Sequence, residues 1–188
     1  MQILLIDNYD SFTYNIEHYL RNYSDVDVVR IDKIDLSKLI NYNKIVLSPG
    51  PGLPKDRGEE LFKIIDKCVI NKTSLLGICL GHQAIAEYFG ASLINLKEVN
   101  HGLEKNTIII ENDIIFKNIP KQFLSGRYHS WAIDNKKLPK ELIITSVDKD
   151  NIIMSFKHKV LDIKGIQFHP ESILTPFGKR ILENWVKN

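Results

Sequence analysis

Cys79 stands between two glycines in the run Gly77-Ile78-Cys79-Leu80-Gly81-His82-Gln83, where an apolar stretch gives way to a helical pattern. That placement suits a thiol to act as a nucleophile. Ser74 to Ile78 reads as a buried strand and Leu80 to Phe89 as a helix, with Gly90 supplying a left-handed stop. Small flanking residues permit a tight strand-to-helix turn that exposes the nucleophile. The helix N-terminus favours an anion, which lowers a cysteine pKa, and the free amides of the first turn can receive a developing oxyanion. Cys68 illustrates the ordinary alternative of a buried structural thiol. It falls on the apolar face of a helical pattern with Leu61, Ile64 and Ile65, with no activating group near it in the sequence.

A cysteine nucleophile needs a base. Of the six histidines, His169 is the best placed, because Gly165 to Phe168 runs as a strand into His169-Pro170-Glu171. Pro170 cannot donate to a sheet ladder and biases His169 towards an extended conformation. In an extended stretch His169 and Glu171 share a face, so Glu171 can accept a proton from one ring nitrogen and leave the other to serve Cys79. The competing reading is a surface histidine beside a helix-capping glutamate. No two histidines have a convincing metal spacing, and no metal or organic cofactor is expected. His82 and His129 read as pocket walls or hydrogen-bonded structural groups.

Ser48-Pro49-Gly50-Pro51-Gly52-Leu53-Pro54 follows an apolar strand, Lys44 to Leu47. Two glycines and three prolines make a stiff loop, able to hold a backbone N–H against a reacting carbonyl oxygen. A plain turn is the alternative. A phosphate loop is disfavoured, since no Lys-Ser or Lys-Thr pair follows the glycines.

The elements that must position these residues alternate. Strand Gln2 to Ile6 leads to a helix with Ser11 as N-cap and Phe12, Ile16, Tyr19 and Leu20 on one face. Strand Val26 to Ile31, a short helix near Asp35 to Ile40, strand Lys44 to Leu47, a helix over Glu59 to Val69 and the strand into the elbow follow. This βα repeat predicts an α/β fold with a central, mostly parallel sheet flanked by helices on both faces, its sites at the strand C-terminal ends. From Ala91 to Phe168 the strands become hairpin-like, which predicts an antiparallel β extension. A last helix begins at Thr175-Pro176 with Ile181, Leu182, Trp185 and Val186 inward. With no linker, repeat or low-complexity segment, residues 1–188 read as a single domain.

Composition narrows the classes. A net charge of +2 and a 44% hydrophobic fraction mark neither disorder nor a nucleic-acid or membrane surface. Two cysteines without a C-x-x-C spacing argue against a disulfide scaffold or dithiol redox module. No signal peptide, transit peptide or bilayer-length apolar run is recognised, so a reducing cytoplasm is the expected location.

Taken in order, PGPG, GxCLGHQ and HPE resemble the class I glutamine amidotransferases across the whole chain. The resemblance implies their flavodoxin-like fold. Ile6-Asp7-Asn8-Tyr9-Asp10-Ser11-Phe12-Thr13, Gly126-Arg127-Tyr128-His129-Ser130 and Glu171-Ser172-Ile173-Leu174-Thr175 narrow it to glutaminase subunits serving chorismate-aminating synthases. These are anthranilate synthase component II, in tryptophan biosynthesis, and the 4-amino-4-deoxychorismate synthase subunit, in folate biosynthesis; one subunit can serve both. The resemblance implies hydrolysis of L-glutamine to glutamate and ammonia through a γ-glutamyl thioester, with Cys79, His169 and Glu171 as the triad. It implies oxyanion donors in the Gly52 and Leu80 amides, and glutamine binding by Gly50, Pro51, Gly52, Gln83, Ser130 and Trp131. The ammonia would pass to a separate synthase chain docked near His101-Gly102 and the Asn8 to Phe12 turn. Trp131 stands where the family more often has leucine, and Leu103 where lysine is common. Two rivals remain: a flavodoxin-like binding module in which Cys79 is incidental, and a γ-glutamyl hydrolase or peptidase that needs no synthase.

Overall fold

A computed structural model describes residues 1–96 and 102–188. In chain order the strands are β1 (Gln2–Asp7), β2 (Asp25–Arg30), β3 (Lys44–Leu47), β4 (Ser74–Ile78), β5 (Leu93–Asn95), β6 (Leu103–Ile109), β7 (Gln122–Arg127), β8 (Trp131–Ile133), β9 (Leu142–Val147), β10 (Ile153–His158) and β11 (Ile163–Ile166). The helices are α1 (Thr13–Leu20), α2 (Glu59–Asn71), α3 (Leu80–Tyr88) and α4 (Gly178–Lys187). A nine-stranded sheet runs in the order β2-β1-β3-β4-β11-β10-β9-β6-β7. Its first five strands are parallel and the remaining pairings antiparallel.

Side chains alternate across the parallel strands, so each strand feeds two cores. On one face Leu4, Ile6, Ile45, Leu47 and Leu75 pack with Leu61, Ile64, Ile65 and Cys68 of α2 and with Ala84 and Ile85 of α3. On the other, Ile3, Leu5, Val46, Leu76 and Ile78 pack with Ile16 and Leu20 of α1 and with Ile181, Leu182 and Trp185 of α4. Cys68 is thus a core residue, and burial pushes its thiol up to about 12, which keeps it protonated and inert.

The structure departs from the sequence reading in four places. Ser11 does not cap α1: the helix starts at Thr13, Asp10 Oδ2 accepts from Phe12 N–H at 2.8 Å, and Phe12 is 41% exposed rather than inward. The helix N-cap is Phe12, one residue later than expected, and no side chain caps it. The Asp35 to Ile40 segment is a 3₁₀ turn over Leu36–Asn41 with Asp35 accepting from Ser37 N–H. The last helix begins at Gly178, with Thr175 O accepting from Gly178 N–H at 2.9 Å in the preceding turn. Most consequentially, the stretch from Ala91 to Phe168 is not antiparallel throughout. Its last strand, β11, returns beside β4 in parallel register, Gly165 opposite Gly77 and Ile166 opposite Ile78. In addition, β5 and β8 form a separate two-stranded sheet.

Candidate active site

The β4–α3 turn is built by close backbone approach. A Cβ on Gly77 would lie 2.4 Å from the Gly81 carbonyl, and one on Gly81 would lie 2.5 Å from Leu47 O. Only glycine lets α3 start this near the ends of β4 and β3. Cys79 is forced to φ 51°, ψ −98° as the N-cap of α3, a left-handed conformation a non-glycine residue holds only under strain from its surroundings. Its N–H donates to Ile166 O at 2.8 Å and its carbonyl accepts from Gln83 N–H at 3.1 Å. The amides of Leu80, Gly81 and His82 therefore precede the first helical bond. Contrary to the expected exposure, Cys79 is only 7% exposed.

His169 reaches this turn because β11 ends beside β4. Its N–H donates to Gly126 O at 3.1 Å, and its carbonyl accepts from the Thr175 hydroxyl at 2.6 Å, so both sides of its backbone are held. His169 Nδ1 and Glu171 Oε1 are 2.6 Å apart, both side chains buried. The pair forms across a turn, with Ser172 N–H donating to His169 O at 3.3 Å, rather than along an extended strand. The carboxylate sets the tautomer, and His169 Nε2 has no hydrogen-bond partner among the described residues. Burial opposes the imidazolium, but the charge of Cys79, and then the hydrogen bond and charge of Glu171, outweigh it and raise His169 well above its ordinary value. The Tyr128 ring sits 4.7 Å from the His169 ring and 6.0 Å from Phe12, with its hydroxyl 3.0 Å from Ser172 Oγ. Asp10 is close enough to interact with both His169 and Glu171, and burial raises its carboxyl.

The Ser48 to Pro54 loop is clamped on both sides. Asn8 N–H donates to Ser48 Oγ and Asn8 Nδ2 to Ser48 O, each at 2.9 Å. On the solvent side Leu53 N–H donates to Asp56 Oδ2 at 2.7 Å, and Arg57 donates to Pro51 O. A Cβ on Gly50 would meet Asn8 O at 2.7 Å and Leu80 Cδ2 at 2.8 Å, which places this loop against the first residue of α3. Gly52 has φ +78°.

Gln83 Nε2 donates to Trp131 O at 2.9 Å and to Gln167 Oε1 at 3.1 Å. Trp131 O also accepts from His129 Nδ1–H at 2.9 Å. These contacts of Trp131 are made by its backbone carbonyl, which a leucine would also carry. Ser130 O accepts from Leu96 N–H at 2.8 Å, tying this segment to the end of β5. Burial lowers His129 to about 4 and His82, packed on Phe156 at 4.9 Å, to about 3, so both are neutral walls. Gln167, wholly buried beside the thiol, went unrecognised in the sequence. Its only signal was a polar residue inside an apolar strand. Leu103 lies at the start of β6 opposite Arg127, 44% exposed. The docking expectation at His101 lies outside the described residues, whereas Gly102 is described and donates its N–H to Arg127 O at 2.9 Å. Among the described residues no group of three or more His, Cys, Asp or Glu is placed to hold a metal ion, and no helix is long and apolar enough to cross a membrane.

The family model for glutamine amidotransferase class-I matches residues 4–188. Anthranilate synthase component 2 of Cyanophora paradoxa is 44% identical, over 98% of this chain and 97% of the relative. The aminodeoxychorismate/anthranilate synthase component 2 of Bacillus subtilis is 39% identical, over 98% of this chain and 95% of the relative. Among solved structures, a Thermoplasma acidophilum protein assigned to GMP synthase superposes with a TM-score of 0.90 at 28% identity, covering 100% of this chain and 92% of that one.

Proposed function

The chain belongs to the class I glutamine amidotransferases, and from that premise we propose that Cys79, His169 and Glu171 hydrolyse glutamine on behalf of a separate chorismate-aminating synthase. The observation that carries the assignment is the 2.6 Å contact of Glu171 with His169 Nδ1, which leaves Nε2 directed to the reaction. The thiolate attacks the side-chain amide carbon of glutamine. The oxyanion is received by the N–H groups of Leu80 and Gly52. His169 delivers its proton to the departing ammonia, leaving a γ-glutamyl thioester, and then takes a proton from the water that cleaves it. Glu171 keeps the imidazole in the right tautomer throughout. Gly50, Pro51, Gly52, Gln83, Ser130 and Trp131 surround the substrate. Both hydrogens of Gln83 Nε2 are already committed, so its Oε1 is the atom that takes the α-ammonium group.

We assign the tryptophan-pathway synthase as principal partner, with the folate-pathway enzyme as the second reading, which the dual name of the Bacillus relative favours. Residues 1–188 act as one amidotransferase domain in a reducing cytoplasm. Free ammonia is mostly protonated at neutral pH and then no nucleophile, so direct transfer within the complex follows.

The test is Cys79→Ser. Glutamine-dependent product formation by the assembled synthase should vanish, while amination with added ammonium salt continues. Loss of both would give Cys79 a structural role, and retained glutamine use would sink the assignment. Covalent labelling of Cys79 by a glutamine-analogue electrophile, read by mass, separates this reading from a binding module. Identification of the synthase that co-purifies with the native protein decides the pathway.

A further inference from the structure

Gln167 is wholly buried, and it lies just past β11, where its N–H donates to Met154 O at 2.8 Å. Its side-chain amide has two neighbours: Gln83 Nε2 at 3.1 Å from its oxygen, and Cys79 Sγ at 3.6 Å from its nitrogen. An amide can in principle be turned end for end, and here the network decides. Trp131 O is a backbone carbonyl and can only accept. Gln83 must therefore present its NH₂ group to it, and the second hydrogen of that group reaches Gln167 Oε1. Gln167 Oε1 is fixed as an acceptor, which leaves Nε2 to face the sulfur as a donor. A backbone carbonyl thus orients two amides in series, and the last one points an N–H at the nucleophile.

Resting on the functional reading above, we propose that Gln167 is a positioning residue for the Cys79 thiolate: held by Gln83 and Trp131 O, its Nε2–H fixes Sγ in the attacking rotamer and favours the anion over the thiol. A hydrogen bond to a charged acceptor is stronger than one to a neutral acceptor, so the contact discriminates between the two protonation states. The thiolate's other ionisable neighbours are His169, with Glu171 behind it and Asp10 near both. None of these replaces the donor, because His169 must give up its proton during the reaction and Gln167 does not. The same relay joins the nucleophile to the Ser130-Trp131 segment proposed to hold the far end of the substrate.

The test compares the wild type with Gln167→Met, which keeps the length of the side chain and removes the donor. Cys79 alkylation by iodoacetamide is followed across pH, alongside glutaminase kinetics of the complex. Loss of one hydrogen bond to a charged group predicts alkylation about tenfold slower at neutral pH, a pH profile displaced to the alkaline side, and a fall in kcat with little change in KM. Superimposable profiles and unchanged kcat overturn the proposal. Because a buried substitution can impair folding, the wild type is also followed by NMR. The Gln167 side-chain amide resonances should move as Cys79 titrates and again on its alkylation; resonances indifferent to both overturn the proposal. A wild-type Cys79 inert to alkylation and to the glutamine analogue overturns the functional reading and this inference together. A reactive wild type with an unaltered variant overturns this inference alone.

Discussion

His82 packs on Phe156 and His129 is bonded to Trp131 O, both inside the fold. Each is buried, and burial holds each imidazole neutral, at about 3 and about 4 respectively. The consequence is a pH dependence of stability. The unfolded chain binds a proton at each histidine near 6.5, whereas the folded state refuses it until the pH is far lower. Stability is therefore complete above about pH 6.5 and falls as the pH drops towards the folded values, by up to about 1.4 kcal/mol per pH unit for each group. His82→Gln should flatten this acid slope by one group's share, measured by urea unfolding at several pH values between neutral and mildly acid. An unchanged slope would mean that the folded protein accommodates the His82 proton. His169 behaves in the opposite sense, since Cys79 and Glu171 raise it, which suits the proton-carrying role proposed for it.

The elements meet at positions where no side chain fits, and the start of α4 is the tightest. A Cβ on Gly178 would lie 1.8 Å from Pro170 O and 2.6 Å from its carbonyl carbon, so the helix rests directly on the His169-Pro170-Glu171 turn. Alanine in a helix is ordinarily better than glycine by about 1 kcal/mol. Gly178→Ala should nevertheless destabilise, by about 1–3 kcal/mol as an overpacked contact, and should lower glutaminase activity because the clash falls on Pro170, between His169 and Glu171. Thermal melting and kcat of the variant check this. A gain in stability with full activity would show that the turn yields freely.

At the scale of the whole molecule, large apolar side chains are exposed in the segments that follow β1 and β11, with Tyr9 45%, Phe12 41% and Ile173 94% exposed. Phe12 packs on Tyr128, and Tyr128 on His169, so two ring contacts join the exposed Phe12 to the buried imidazole. The Ser48 to Pro54 loop is pinned at Ser48, at Pro51 O by the exposed Arg57 contact, and beyond Gly52, so turning the Pro51–Gly52 peptide requires Arg57 to let go. An always-active glutaminase would waste glutamine. The isolated protein is expected to hydrolyse glutamine slowly and to be accelerated by its synthase, most strongly with chorismate bound; one oxyanion donor brought into place is worth about 10²–10³ in rate. Glutaminase assays of the isolated protein, of its complex with the synthase, and of that complex with chorismate check this. An isolated protein that runs at the full rate of the complex would refute it.

Much of this site was legible in the chain itself, because its hardest geometry is local. Two glycines around Cys79 dictate a close strand-to-helix turn, Gly90 takes φ +100° at the end of α3, and His169 and Glu171 are two residues apart with a proline between them. The alternation of strands with helical patterns in the first half of the chain announced a parallel sheet covered on both faces. What tertiary structure alone decided is which distant strand lies beside the elbow. β11 reads like another antiparallel strand, since periodicity reports which face is buried and not which neighbour pairs. Only the parallel register with β4 brings Gln167 to Cys79 across 88 residues of chain. The role of Trp131 was hidden for a related reason: its contact is a carbonyl oxygen, which every residue carries and no sequence pattern marks.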